Sequence, residues 1–187
     1  MNHFYKIIDG WFDFNALYTQ QVYRAANGAH FVEVGAWKGK STAFMAVEIA
    51  SSGKKIKFDV VDHWLGSLEL MRDAAVKDGT LYDVFMENLK PAAPYFTPIR
   101  MPSVQAASLY RPESLDFVFL DGSHEYADVM EDMCAWYPLV KPGGTLAGHD
   151  IACPDVSKAV SVFLGGFPEV IGSCWSHTKA TGKTWQG

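Results

Sequence analysis

The chain has 187 residues, 49% hydrophobic and 20% charged, a balance that suits one globular domain with a single sizeable core and excludes a disordered or fibrous chain. With 16 Lys and Arg against 21 Asp and Glu, the formal charge is −5. A chain this acidic lacks the cationic surface that a phosphate backbone requires, and nucleic acid is not expected as a substrate.

Helix-like and strand-like segments alternate along the chain. Residues Asp13 to Ala26 place Phe14, Leu17, Tyr18, Val22 and Ala25 at helical spacing, with Asp13 as the expected cap. HFVEV (His30 to Val34) reads as a short buried strand, Ser41 to Ala50 as a helix and KFDVVD (Lys57 to Asp62) as a second strand. The stretch from Trp64 to Ile99 is too long for a simple βα connection and should hold structure of its own, including a helix carrying Leu81, Val84, Phe85 and Leu89. It is expected to act as an insert or lid, with a strand at Thr97 to Met101 closing it. LDFVFLD (Leu115 to Asp121) is a clear strand, Tyr126 to Val140 a helix, Lys141-Pro142-Gly143-Gly144 a turn and Gly144 to Asp150 another strand. Asp155 to Leu164 is helical, and Glu169 to Trp185 reads as a two-stranded hairpin. This order predicts one domain over residues 1–187. Its fold class is α/β: a Rossmann-like, doubly wound, mostly parallel seven-stranded sheet with helices on both faces and a C-terminal antiparallel hairpin.

Glu33-Val34-Gly35-Ala36-Trp37-Lys38-Gly39 follows a strand and precedes a helix, the context in which two glycines suggest a nucleotide site. Gly35 would let the chain turn sharply off the strand, and Gly39 would let a ligand approach the helix start. Ser41 and Thr42 add hydroxyls near that helix end, where N–H groups favour a carboxylate. Asp62 ends the next strand, where an acid commonly holds ribose hydroxyls. The same residues also describe a tight turn beside a strand-end aspartate of no special role, but with Asp62 in register the binding site is the favoured reading. A dinucleotide site prefers GxGxxG. Here Trp37 stands where the second glycine would be, which disfavours a pyrophosphate.

The E-x-G-x-x-x-G motif resembles that of class I S-adenosylmethionine-dependent methyltransferases. The resemblance implies that Glu33 orders the loop or contacts ligand waters, and that Gly35, Ala36 and Gly39 line the methionine part of the cofactor, with Trp37 and Ser41 of the same turn also counted as cofactor-binding. It implies further that Asp62 binds the ribose, that His63 and Trp64 lie along the adenine edge, and that Ser103 and Val104 contact adenine.

A second constellation lies downstream. The strand Leu115 to Asp121 runs into Gly122-Ser123-His124, and the strand after KPGG ends in His149-Asp150. In a parallel sheet both ends share the carboxyl edge, where ligands bind, so Asp121, His124, His149 and Asp150 should converge. Two carboxylates in one pocket repel unless something positive lies between them. A divalent cation is one answer: Mg²⁺ suits the oxygens, while the imidazole tilts the choice towards Mn²⁺, Fe²⁺ or Zn²⁺. Alternatively, Asp121 contacts the cofactor, His124 caps the following helix, and His149 and Asp150 pair with each other. The pattern D-G-x-H-x-Y, K-P-G-G and a strand ending in H-D resembles a subgroup of small-molecule O-methyltransferases acting on sugars and natural products, over about Phe31 to Ile151. In its metal-dependent members the positions of Asp121, His149 and Asp150 are metal ligands and that of His124 a general base. Many members carry an acid where this chain has His149.

The resulting expectation is an S-adenosylmethionine-dependent O-methyltransferase acting on a small-molecule acceptor, with His124 as base and a divalent cation, Mg²⁺ or Mn²⁺, as an accessory. Two rivals share the fold: an NAD-dependent oxidoreductase, and a non-catalytic S-adenosylmethionine-binding module. With no separate acceptor-binding domain, the Trp64 to Ile99 segment or a partner subunit in a homo-oligomer would have to cover the site. Cys134, Cys153 and Cys174 are an odd number without CxxC spacing, so each is expected as a small buried hydrophobe in a reducing compartment. No segment approaches the ~20 apolar residues of a membrane span, and the amino terminus lacks the apolar core of a signal peptide. A cytoplasmic location is the default. Trp11, Trp136 and Trp175 are expected to serve packing.

Overall fold

The computed structural model describes residues 1–66 and 71–182. Residues 67–70, within the expected lid, and 183–187, which include the end of the expected hairpin, lie outside the described residues. The strands are β1 (His30–Val34), β2 (Lys57–Asp62), β3 (Thr97–Arg100), β4 (Leu115–Leu120), β5 (Val140–Gly148), β6 (Glu169–Ile171) and β7 (Cys174–Thr178). The helices are α1 (Asn15–Arg24), α2 (Lys40–Ser52), α3 (Ala74–Lys77), α4 (Leu81–Leu89), α5 (Ser103–Ala107), α6 (Tyr126–Trp136) and α7 (Pro154–Leu164).

The strands form one seven-stranded sheet in the order β3-β2-β1-β4-β5-β7-β6. β1 to β5 pair in parallel, and β7 runs antiparallel to both β5 and β6. Helices on both faces bury both sides of the central strands, which is why Phe117 to Leu120 of β4 read as an unbroken apolar run. Phe117 and Phe119 enter one core with Leu17, Met45 and Phe85 from α1, α2 and α4. Val118 and Leu120 enter the other with Ala106, Met133 and Val160 from α5, α6 and α7. The strand order reverses between β1 and β4, and the crevice at that reversal is where an open α/β sheet offers a ligand site.

Four details depart from expectation. Pro142, Gly143 and Gly144 do not form a separate turn but lie within β5, whose pairing with β4 shifts register between Leu115 and Phe117. Gly143 has φ +81, and a Cβ on Gly144 would lie 3.0 Å from the carbonyl oxygens of Asp116 and Lys141, so the glycines allow a bulge inside the ladder. The helix expected to reach Val140 stops at Trp136, where Pro138 follows in a short 3₁₀ turn. Asp13 does not cap α1, whose N-cap is Phe14 without a side-chain hydrogen bond. Finally, only Cys174 is buried, while Cys134 is exposed. The Trp64 to Ile99 segment does hold its own helices, and Leu81, Phe85 and Leu89 of α4 are fully packed. No helix among the described residues is long and apolar enough to cross a membrane.

Candidate functional site

Gly35 takes the chain off β1 with φ +87, donating to the Val61 carbonyl at 2.9 Å. A Cβ there would sit 2.0 Å from the Asp121 carbonyl oxygen, so the loops after β1 and β4 run in backbone contact. Gly39, φ +89, is also required to be small, but its missing Cβ faces Leu89 and Phe85 of α4. It brings this turn hard against the neighbouring helix.

Asp62 organises the turn. Its Oδ2 accepts from the backbone N–H groups of Ala36 (2.9 Å) and Trp37 (3.0 Å), and its Oδ1 from that of Trp64 (2.7 Å). Trp37 and Trp64 adopt positive φ, +45 and +51, which bulky residues hold only when surroundings compel them. The Trp64 indole N–H donates to the Trp37 carbonyl at 3.0 Å, and its ring is buried against Tyr82 and Phe85. His63 stays half-exposed beside it, its Nδ1 accepting from the Leu65 N–H.

Glu33 is buried beneath the turn. Its carboxyl accepts from Tyr18 Oη at 2.8 Å and from the hydroxyls of Thr42 and Ser41. Burial pushes its pKa up to about 7, against the pull of those hydrogen bonds. The Ser41 and Thr42 hydroxyls therefore serve Glu33, tying α2 to β1.

Ser103, at the start of α5, donates to Asp132 Oδ1 of α6 and accepts from the Trp136 indole N–H at 2.9 Å, while Val104 is largely exposed. Asp132 had drawn no notice in the sequence. It lines a cleft with Asp121, Gly122, Ser123, His124, His149, Asp150 and Trp175, and burial lifts its pKa to about 6. The signal was present in helical spacing, since Asp132 falls between the buried residues Val129, Met133 and Trp136.

The second constellation does converge. His149 Nδ1 lies 2.9 Å from Asp150 Oδ2 and 3.5 Å from Asp121 Oδ1, and its Nε2 lies 3.0 Å from Asp13 Oδ1. Asp13 also accepts from Ser173 Oγ at 2.6 Å. This third acid around His149 comes from the far amino terminus, and no local pattern could have announced it. Asp150 has φ +56, and the same Oδ2 that meets His149 meets His124 Nε2 at 2.7 Å. α6 starts behind Glu125 with no side-chain cap, so His124 turns towards Asp150 and not onto the helix end.

Burial opposes a charged His149, but the Asp121 hydrogen bond and charge, with Asp150 and Asp13 behind them, outweigh it and lift the pKa to about 9. Burial raises Asp121 in turn, and His149 offsets part of that rise. A histidine raised above its unfolded value of ~6.5 contributes its full stability below that pH and loses it as pH climbs through 9. The contribution is on the order of 3 kcal/mol. The melting temperature should thus fall between pH 6.5 and 9, by roughly 2–4 °C per kcal/mol. His149→Gln should flatten that part of a calorimetric pH series.

A methyltransferase-domain family model matches residues 32–151, from inside β1 to just past β5. The chain belongs to this methyltransferase family. The match favours methyl transfer over the nicotinamide-dependent rival. No curated protein matches the sequence. Among solved structures, the methyltransferase fold recurs in the O-methyltransferase NovP (TM-score 0.66, 15% identity, 89% of this chain and 79% of that one). It recurs in the O-methyltransferase TomG of Streptomyces achromogenes, involved in tomaymycin synthesis and solved with S-adenosylmethionine (TM-score 0.61, 14% identity, 89% and 79%). An O-methyltransferase of Bacillus cereus solved with S-adenosylhomocysteine is a third (TM-score 0.57, 14% identity, 88% and 78%). At these identities the likeness carries the fold.

Proposed function

We propose that this methyltransferase moves the methyl group of S-adenosylmethionine to an oxygen of a small-molecule acceptor at the crevice between β1 and β4. The observation that carries the reading is the Asp62 carboxylate. Of about four acceptor positions on a carboxylate, three hold the backbone of the Gly35 turn and the start of the β2 loop, leaving one for a ribose hydroxyl. One side chain thereby shapes the cradle and grips the ligand. The indole N–H of Trp37 is buried in the same turn without an acceptor among the described residues, a donor that a ligand carboxylate would satisfy. His63 and the Ser103–Asp132 pair would border the adenine. NovP, TomG and the Bacillus cereus enzyme are named O-methyltransferases, which supports oxygen as the acceptor atom. The acidic chain supports a small acceptor over nucleic acid.

When bound, S-adenosylmethionine supplies an electrophilic methyl on a sulfonium whose leaving group is a neutral thioether. The protein aligns the acceptor and manages its proton. His124 Nε2 pairs with Asp150 at 2.7 Å, which orients the imidazole as the base for the acceptor hydroxyl. Asp121, His149 and Asp150 present ligand atoms within 4.8 Å of one another, a set that would fit one divalent cation such as Mn²⁺ or Mg²⁺ on displacement of the His149 proton. Such an ion would lower the pKa of an acceptor hydroxyl.

The test is a thermal shift with S-adenosylhomocysteine, followed by a mass-spectrometric screen for methylated sugars and phenols with and without EDTA. Saturating S-adenosylhomocysteine should raise the melting temperature by several degrees, and Asp62→Ala should abolish the rise. No shift in the unmodified protein overturns the reading. A turnover rate indifferent to EDTA removes the cation from it.

A further inference from the structure

A second group of charged side chains lies at the amino edge of the sheet, the edge opposite Asp62 and Asp121. His30 begins β1, Lys57 begins β2, and the two are partners across the ladder. Asp59 follows on β2, and the linker between α5 and β4 brings Leu109, Tyr110 and Arg111 beside them. With Ile99 these residues line a groove of about 280 Å³, close to the lower end of the ~300–1,000 Å³ that small-molecule sites occupy.

Asp59 is the buried member, its side chain 2% exposed. Its Oδ2 meets His30 Nε2 at 2.7 Å and Lys57 Nζ at 3.1 Å, and accepts from Tyr110 Oη at 3.0 Å. Its Oδ1 is equally buried and has no partner among the described residues. Burial opposes the charge, but the contacts with His30 and Lys57 outweigh it and keep the carboxyl below its ordinary pKa. An ionised, buried carboxylate with one oxygen unmatched is uncommon in a folded interior. The cations around it are less committed. The Lys57 side chain is 60% exposed, so solvent screens its pairing with Asp59. Arg111 is exposed, and the nearby acids Glu113 and Asp116 pair with Lys179 and Lys141.

We propose that this groove is a second binding site, and that its ligand is a free α-amino acid with an apolar side chain. The ligand's ammonium group goes to Asp59 and supplies the donor that Oδ1 lacks. Its carboxylate goes to Lys57 and Arg111. Lys57 Nζ lies 3.1 Å from the carboxylate that the ammonium meets, so the two charges of the ligand must be close neighbours, as they are across one α-carbon. The exchange keeps every charge paired: the ligand's ammonium takes the place of Lys57 at Asp59, and Lys57 turns on its flexible stem to the ligand's carboxylate. A plain carboxylate would be repelled by Asp59, and a plain amine would displace Lys57 with nothing to offer it. Ile99 and Leu109, the latter 58% exposed, give the side chain an apolar wall. The site is independent of the methyl-transfer reading.

The test is calorimetric titration with leucine, run on the free protein and on protein saturated with S-adenosylhomocysteine, whose own amino-acid end then fills the cradle at Gly35. The comparison ligands are alanine, 4-methylpentanoate (leucine without its amino group) and 3-methylbutylamine (leucine without its carboxyl group). Leucine should bind saturably in both states, and each comparison ligand about tenfold more weakly or worse. Arg111→Ala, a change at an exposed position, should weaken leucine about tenfold and leave the S-adenosylhomocysteine thermal shift unaltered. Asp59→Asn should do the same, and if that buried change prevents folding, Arg111→Ala decides alone. Absence of saturable leucine binding, equal affinity for either truncated analogue, or unchanged leucine affinity in Arg111→Ala would each overturn the proposal. Loss of leucine binding in the presence of S-adenosylhomocysteine would also overturn it, by placing the amino acid in the cradle. Failure of S-adenosylhomocysteine to bind strikes the methyl-transfer reading alone, since the titration of the free protein still decides this one.

Discussion

Replacing His124 with Ala should lower kcat by roughly a hundredfold or more while leaving S-adenosylhomocysteine affinity within about twofold. The split follows from where His124 sits. It belongs to the loop after β4 and bonds to Asp150 just past the end of β5, while the proposed cofactor cradle is built by Asp62, Gly35 and Glu33 on the other side of the crevice. Asp150 reaches both imidazoles with one oxygen and does so from a left-handed backbone conformation. Strain of that kind persists where surrounding contacts over-determine a residue, and it concentrates at functional sites. His124→Gln keeps a polar side chain of similar reach but no useful base, so it should be nearly as slow as the Ala variant. If both variants turn over at the unmodified rate, the proton leaves the acceptor by another route and His124 has no catalytic part.

Gly35→Ala should be the most damaging single methyl in the chain. The added carbon would lie 2.0 Å from the Asp121 carbonyl oxygen and 2.5 Å from its carbon, and neither can swing away as a side-chain end could. A positive φ adds roughly 1–2 kcal/mol for any residue with a Cβ, and forced overpacking adds roughly 1–3 kcal/mol or more. For a domain of this size that amounts to a melting temperature lower by about 10 °C. Because the crevice between β1 and β4 must open to accept the methyl, the S-adenosylhomocysteine shift should vanish as well. Gly53→Ala is the control. Gly53 has a similar φ of +66, but nothing lies within 4 Å of its absent Cβ, so it should cost only the conformational part, about 1 kcal/mol. Equal melting temperatures for the two variants would show that the β1–β4 contact is softer than its geometry implies.

The structure bears out the α/β order, and in the parallel region the reason is visible residue by residue. Phe117-Val118-Phe119-Leu120 can be unbroken apolar only if both faces of β4 are covered, and the helical spacing in α2, α6 and α7 supplies the cover. Where the local signal misled, a partner distant in sequence had won. Gly143 and Gly144 carry ordinary turn chemistry, yet Val140 pairs with Leu115 and draws them into β5 as a bulge. Asp13 has the composition and place of a helix cap, yet His149 and Ser173, more than a hundred residues on, take its carboxylate.

The candidate site divides along the same line. That Gly35, Asp62, Asp121, His124, His149 and Asp150 gather at one edge was legible from the sequence alone, because strand ends in a parallel sheet share that edge whatever the packing. Only the tertiary structure decided what those groups do to one another. It gave Asp62 three backbone donors, turned Ser41 and Thr42 onto a buried Glu33, brought Asp132 in from α6, set His149 among three carboxylates and left Trp11 in the open. Periodicity along a chain reports which face of an element is apolar; hydrogen bonds and charges act over a few ångströms, and which groups come that close is settled when the layers pack.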